Sequence, residues 1–206
     1  DRTAGPRLDV LDATVLEAMG QRASRGVRAP RATATWRSPM PARHWRTASA
    51  CSPPKLDGRM LQALAIQPGE SVSRSAPAAG WFAAVLATLG RQVRSLEIHA
   101  DLAEGAWANL NARGSANVVV ENVDAMQLAV ESQYDVIAVT GSLPVYDARF
   151  ERALAVGGGC SWSSARARRW RPGWSPARPV AVVAEDLFET SIPPLLHAAR
   201  PPWFEF

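Results

Sequence analysis

Three short stretches of this chain carry residues whose types and spacing can do chemistry. Glu97 lies at the end of an apolar run and follows Gly80 by 17 residues. A carboxylate about 20 residues past a glycine turn is a usual acceptor for ribose hydroxyls in nucleotide sites. The plainer alternative is a solvated acid at a strand end. Asp124 follows a second run, NVVVENV, as a ligand acid or as the cap of the next turn. Thr140, Gly141 and Ser142 follow a third run, in what reads as a turn where Gly141 takes up positive φ. Other chemistries find less support. His44, His99 and His197 are scattered, no Ser-His-Asp order is visible, and Cys51 and Cys160 lack metal-ligand spacing. No metal site is expected.

The elements that must position these residues are apolar runs at 93–98, 118–120 and 136–139, with a helical segment at 101–111 between the first two. Apolar runs alternating with helices predict a parallel sheet covered on both faces, whose ligands bind beyond the carboxyl ends of the strands. Asp135, just before the third run, is expected to cap rather than to catalyse. Further helices are expected at 9–19, 52–66 and 81–89. The first is capped by Asp12 and turns Val10, Leu11, Val15, Leu16 and Met19 inward. The second uses Leu56, Met60, Leu61 and Leu64, and the third ends at Gly90. A short helix is expected at 148–154 and a turn at 156–158. After the turn at 67–70, residues 71–80 (SVSRSAPAAG) do not read as a strand, because a buried strand should not carry Arg74 and Pro77.

With 206 residues, one domain with a sizeable core is expected. No apolar run approaches the roughly 20 residues of a membrane span. The first residues lack the apolar segment of a signal peptide. A cytoplasmic, reducing setting follows as the expectation. The net charge of +4 and the pI near 9.8 are unevenly founded. Arg is dense at 22–46 and 165–178, while 96–135 is mostly acidic. Four of the eight Trp (Trp36, Trp45, Trp170, Trp174) lie in those Arg-rich stretches, which have no helix or strand period.

The patterned segments resemble the protein-L-isoaspartate O-methyltransferase family, in its bacterial branch. The resemblance is carried by SPPKLDGRMLQAL (52–64), Pro68-Gly69-Glu70, LATLGRQVRSLEI (86–98), DLAEGAWANL (101–110), NVVVENVDA (117–125), YDVIAVTGSLP (134–144), Gly157-Gly158 and DLFETSIPPL (186–195). It implies an α/β fold with the open, mostly parallel, Rossmann-like sheet of S-adenosylmethionine-dependent methyltransferases. Residues 1–65 would form an N-terminal helical, substrate-side segment and 66–206 the cofactor-binding domain. The implied reaction is methyl transfer from S-adenosylmethionine to the carboxylate of damaged isoaspartyl residues in proteins or peptides, by a monomer acting without metal, nucleic acid or membrane. The resemblance assigns Ser52, in the frame S-x-P-x-x-x-x-R-M, to the substrate carboxylate; as read locally, Ser52 is a helix cap. It assigns Gly80 to the cofactor loop, Glu97 to the ribose, Asp124 to the adenine side, and Thr140 and Gly141 to the mouth where methionine and substrate meet.

One departure stands out. The family's Gly-rich loop, of the E-x-G-x-G-x-G kind, belongs at 74–80, and only Gly80 remains. Ser73-Arg74-Ser75-Ala76-Pro77-Ala78-Ala79 can be encoded TCG AGA TCG GCA CCG GCA GCG. Read one base earlier, the same bases give Leu-Glu-Ile-Gly-Thr-Gly-Ser, the missing loop. The same shift turns Cys160-Ser161-Trp162-Ser163-Ser164 into Leu-Phe-Val-Val-Val, a buried strand, and returns family-like sequence from 35–51 and 167–176. Compensating frameshifts at about 21–51, 73–79 and 159–178 account for the Arg and Trp excess and so for the basic pI.

Two other functions stay open on the residues alone. The chain can be a non-catalytic remnant of the family, because Cβ atoms and a proline in SRSAPAA obstruct the approach of backbone to cofactor. It can also be a basic nucleic-acid-binding domain, since cations and aromatics suit single strands. Salt-sensitive oligonucleotide binding marks the second.

Overall fold

A computed structural model describes residues 10–24, 54–75, 80–128, 133–163, 166–173, 181–189 and 192–201, the two ranges 166–173 and 181–189 as strand paths only. The described strands are β1 (Ser71–Ser75), β2 (Gln92–Leu96), β3 (Val118–Glu121), β4 (Tyr134–Ser142), β5 (Leu154–Ser163), β6 (Arg166–Gly173) and β7 (Ala181–Glu189). They form one sheet in the order β3-β2-β1-β4-β5-β6-β7. The first five pair parallel, and β6 and β7 close the far edge antiparallel. The helices are α1 (Ala13–Ser24), α2 (Pro54–Leu64), α3 (Trp81–Leu89), α4 (Ala100–Ala112) and α5 (Ala148–Arg152), with a 3-10 turn at Ala125–Gln127. The expected open, mostly parallel α/β sheet is present.

Strand β4 shows why the runs are apolar throughout. Val136 and Ala138 enter one core with α1, α2 and α3, whereas Ile137 and Val139 enter a second core with Leu96, Phe150 and Leu154. A strand buried on both faces has no polar side to spare. Asp12 caps α1 as expected, accepting from the Val15 N–H at 3.1 Å. The buried stripe of α1 is narrower than the sequence suggests. It runs through Val15, Ala18 and Arg22, while Leu11 and Leu16 are 80% and 50% exposed. Leu11 precedes the helix, and Leu16 points away from the i, i+3, i+7 row that meets α3. Arg22 is held there by Thr88 at 2.8 Å and Ser115 at 3.2 Å.

Four expectations are corrected. Residues 71–75 do form a strand, and it is central. β1 hydrogen-bonds β2 on one side and β4 on the other, burying Ser73, Arg74 and Ser75. Ladder bonds come from the backbone and are indifferent to side chain, so two flanking strands override a poor propensity. The Arg74 guanidinium lies 5.1 Å from the Phe82 ring centroid, a cation–π contact that offsets part of its burial cost. Second, Gly141-Ser142 is no turn: β4 continues through both residues. Third, residues 156–158 lie inside β5 as a bulge, where the register passes from Tyr134↔Leu154 to Val136↔Gly159. Gly157 takes φ 83°, and a Cβ on Gly158 would sit 2.7 Å from the Asp135 carbonyl oxygen. Fourth, the Arg-rich stretch 165–178, which has no strand period, contains all of β6.

Gly90 ends α3 as expected but in extended backbone, with φ −102°. It is glycine because a Cβ would meet Val72 Cγ2 at 2.9 Å and the Glu70 carbonyl at 3.1 Å, so close approach rather than left-handed φ is the constraint. Of the segments suspected of frame change, 21–24, 73–75, 159–163 and 166–173 fall within the described residues.

Candidate functional site

The chain leaves β1 for β2 and β3 on one side of it and returns to β4 and β5 on the other. The carboxyl ends of β1 and β4 therefore flank the topological switch point, where open α/β sheets bind ligands. Thr140 ties the two ends together: its hydroxyl donates to the Ser75 carbonyl oxygen. Gly80 opens α3 with φ 81°, and its carbonyl accepts from the Ala84 N–H at 3.0 Å. A Cβ there would lie 3.3 Å from both the Ala106 carbonyl and Leu110 Cγ, so glycine is required by backbone conformation and by packing of α3 on α4. The first N–H groups of α3 lack intrahelical acceptors and mark an end suited to electron-rich ligand atoms. Residues 76–79, the body of the expected loop, lie outside the described residues, as does Ser52.

Glu97 directly follows β2 and is 3% exposed, which removes the solvated-acid alternative. Its N–H donates to the Glu121 carbonyl at 2.9 Å, prolonging the β2–β3 ladder. Asn122 Nδ2 donates to the Glu97 and Ile98 carbonyls at 2.9 and 3.0 Å, bracing the turn. The Glu97 carboxylate accepts from the His99 N–H at 3.0 Å, its one hydrogen bond among the described residues. A carboxylate has room for about four, so a buried acceptor with capacity left stands beside the switch point.

Asp124 realises its capping alternative: Oδ1 accepts from the Met126 N–H at 2.8 Å and opens the 3-10 turn. Its other oxygen, Oδ2, is 2.7 Å from His197 Nδ1. Sequence reasoning set His197 aside, and the lone histidine of a proline-rich tail gives no periodic signal that would have found it. Gly141 is covered by the same C-terminal segment. Ser142 donates to the Pro193 carbonyl at 2.9 Å, and Leu195 donates back to Ser142 at 3.0 Å. A Cβ on Gly141 would fall 2.5 Å from Leu195 Cδ2. The structure thus brings Gly80, Glu97, Asp124, Thr140 and Gly141 to the carboxyl edge of one sheet. Among the described residues no group of three His, Cys, Asp or Glu could hold a metal ion. None of their helices is long and apolar enough to cross a membrane.

Asp135 lies at the opposite edge and is structural. It accepts from the Ser71 N–H at 2.8 Å and from the Ser71 hydroxyl at 2.7 Å, pinning β1 to β4. The Ser71 N–H holds the Asp135 carboxyl below the usual carboxylate range, against the opposing effect of burial. A depressed folded-state pKa stabilises the fold fully above the unfolded value of about 4, and the contribution is lost as pH falls through the folded value. Asp135→Asn is expected to lower the melting temperature at pH 7, with the gap to the parent closing as pH drops below about 4. Parallel melting curves across that range would contradict the assignment.

Comparison with known proteins bears on the same residues. The profile of the family described as protein-L-isoaspartate(D-aspartate) O-methyltransferase (PCMT) matches residues 10–160. A protein-L-isoaspartate O-methyltransferase of Methylorubrum populi is 34% identical over 152 residues, covering 72% of this chain and 70% of that protein. One from Koribacter versatilis is 35% identical over 108 residues, covering 52% and 49%, and one from Synechococcus is 37% identical over 153, covering 72% and 61%. The chain thus spans 49% to 70% of the length of these relatives. In fold it is similar to a Plasmodium falciparum protein-L-isoaspartate O-methyltransferase solved with S-adenosyl-L-homocysteine. That similarity has a TM-score of 0.67 at 17% identity, over 89% of this chain and 90% of that one.

Proposed function

The chain belongs to the protein-L-isoaspartate(D-aspartate) O-methyltransferase family, and from that membership we propose that it transfers a methyl group from S-adenosylmethionine to the α-carboxylate of L-isoaspartyl residues in damaged proteins or peptides. The observation that carries the proposal is Glu97: a carboxylate 3% exposed, with acceptor capacity left, at the strand end next to the switch point. S-adenosylmethionine supplies a methyl group bound to a positively charged sulfur. The substrate carboxylate is already ionised at neutral pH, so the protein needs no strong base. Its residues must align carboxylate oxygen, methyl carbon and leaving sulfur, and exclude water. The oxygen–methyl bond forms as the carbon–sulfur bond breaks, and the products are a methyl ester and S-adenosylhomocysteine.

Glu97 is assigned to the ribose hydroxyls, Gly80 and the α3 N-terminus to the cofactor loop, and Asp124 to the adenine side. Thr140 and Gly141 hold the end of β4 beside the reacting groups, and Ser52 is assigned to the substrate carboxylate. Residues 1–65 are taken as the substrate-side segment on a cofactor domain of 66–206. The helices α1 and α2 bury Val15, Ala18, Met60, Leu61 and Leu64 in the core they share with α3 and the sheet, so the two parts pack as one body. The test is methyl transfer to a peptide containing L-isoaspartate and to the same peptide containing normal aspartate. Base-labile methyl ester is expected on the first alone. Equal labelling of both, or of neither by a chain that binds S-adenosylhomocysteine, would refute the substrate assignment.

A second reading is favoured by one observation. Ser73, Arg74 and Ser75 are buried in the central strand, and the Ser75 hydroxyl has no hydrogen-bond partner among the described residues. A strand that buries polar groups ahead of a loop stripped of its glycines is what a decaying or frame-shifted member of the family would carry. The chain as written is then a remnant with weak cofactor binding.

A further inference from the structure

The contact between His197 and Asp124 is used by nothing in the assignment above. It has a specific geometry. The C-terminal segment 192–198 is fastened at two places on either side, in strand order, of the β1–β4 switch point. At one end Pro193 and Leu195 exchange backbone hydrogen bonds with Ser142, a parallel bridge centred on Pro194, and Leu195 packs over Gly141. At the other end His197 Nδ1 meets Asp124 Oδ2, beyond β3. Between them the chain turns tightly: Ala198 N–H donates to the Leu195 carbonyl at 3.1 Å, and His197 takes φ 64°. His is one of the few non-glycine residues that enter this backbone region readily, and the turn aims its imidazole at Asp124.

The two partners differ in exposure. The Asp124 side chain is 10% exposed and that of His197 is 67% exposed. Oδ1 is committed to the Met126 N–H, which already orients the carboxylate. The imidazole sits on the other oxygen, Oδ2; being 67% exposed it can turn to water, whereas Asp124, 10% exposed, then takes its replacement hydrogen bond from whatever enters. An amine donor arriving at the oxygen not committed to Met126 meets the imidazole already there at 2.7 Å.

We propose that His197 and Asp124 form a clasp that gates the adenine side of the cofactor site. The clasp keeps residues 192–198 against the strand ends when no ligand is bound, and it opens when the exocyclic amine of a bound adenine takes over Asp124 Oδ2. The inference rests on the assignment of Asp124 to the adenine side. It makes His197 a positioning residue whose loss favours the ligand, opposite to the expectation for a residue that lines the site.

The test uses the full chain and two variants. His197→Gly removes the imidazole and relieves the positive φ. His197→Asn retains a short N–H donor in a residue that tolerates that φ. S-adenosylhomocysteine is titrated calorimetrically into each, and amide exchange is followed at Leu195 and Ser142. His197→Gly is expected to bind about two- to fivefold more tightly than the parent, the range by which removing a weak competing contact raises affinity. Its Leu195 amide should exchange faster, and His197→Asn should match the parent in both readouts. In the parent, added S-adenosylhomocysteine should itself speed exchange at Leu195. Parental or weaker affinity in His197→Gly overturns the gate while leaving the cofactor assignment standing, and unchanged Leu195 exchange in that variant overturns the clasp. Failure of all three proteins to bind refutes the cofactor assignment itself, and the gate falls with it.

Discussion

A chain in which residues 73–79 are rewritten as Leu-Glu-Ile-Gly-Thr-Gly-Ser is expected to bind S-adenosylhomocysteine at least about tenfold more tightly than the parent, a change of about 1.4 kcal/mol, and to melt at a higher temperature. The two effects have separate causes. Positions 73 and 75 are 2% and 3% exposed in the central strand. Placing Leu and Ile there contributes about 1.5–3 kcal/mol each by burial, less whatever strain the added volume brings. Replacing Ser75 also removes a buried hydroxyl that has no partner among the described residues, a cost of about 1–3 kcal/mol in the parent. The glycines act on affinity instead, by removing Cβ atoms and a proline from backbone that must approach the cofactor. Thermal melting and calorimetric titration read the two independently. A chain that gains neither stability nor affinity would show that SRSAPAA is this protein's own solution and not a displaced frame.

Glu97→Ala in the rewritten chain is expected to weaken S-adenosylhomocysteine binding by about 2–3 kcal/mol, roughly 30- to 150-fold, the worth of charge-assisted hydrogen bonds made in a buried place. Stability should change far less. The Glu97 backbone still donates to Glu121, Asn122 still holds the Glu97 and Ile98 carbonyls, and only the His99 N–H loses its acceptor. That separation matters, because a folded variant with lost affinity identifies a ligand group, whereas parallel losses identify a structural one. Unchanged affinity in a folded Glu97→Ala chain would remove the ribose assignment and with it the main support for the cofactor site.

The parts of this molecule legible in the residues are those where side chains and backbone want the same thing. The apolar run before Thr140 is a strand covered on both faces, and the run ending at Glu97 supplies Val93 to one core and Leu96 to the other; the run before Asp124 is the edge strand, with Val118 and Val120 packed on the core and Val119 46% exposed. On covered faces burial selects Val and Ile regardless of what surrounds them. Asp12 caps α1, because a carboxylate three residues before an unpaired N–H is a local arrangement; Asp135 also serves structure, but through Ser71, 64 residues away. The alternation of these three strands with helices, the family, and the strand-end position of Glu97 and Asp124 followed from these.

What escaped were the features that depend on partners distant in sequence. SVSRS is a poor strand alone and becomes one because β2 and β4 both supply a ladder. Gly141-Ser142 resembles a turn and stays extended because Pro193 and Leu195, some fifty residues on, bond to it. Asp124 and His197, 73 residues apart, meet only once the C-terminal segment crosses to β4. Local sequence carries the cost of burying Arg74 or of holding His197 at φ 64°. The compensating hydrogen bonds and packing come from elements that folding alone brings alongside.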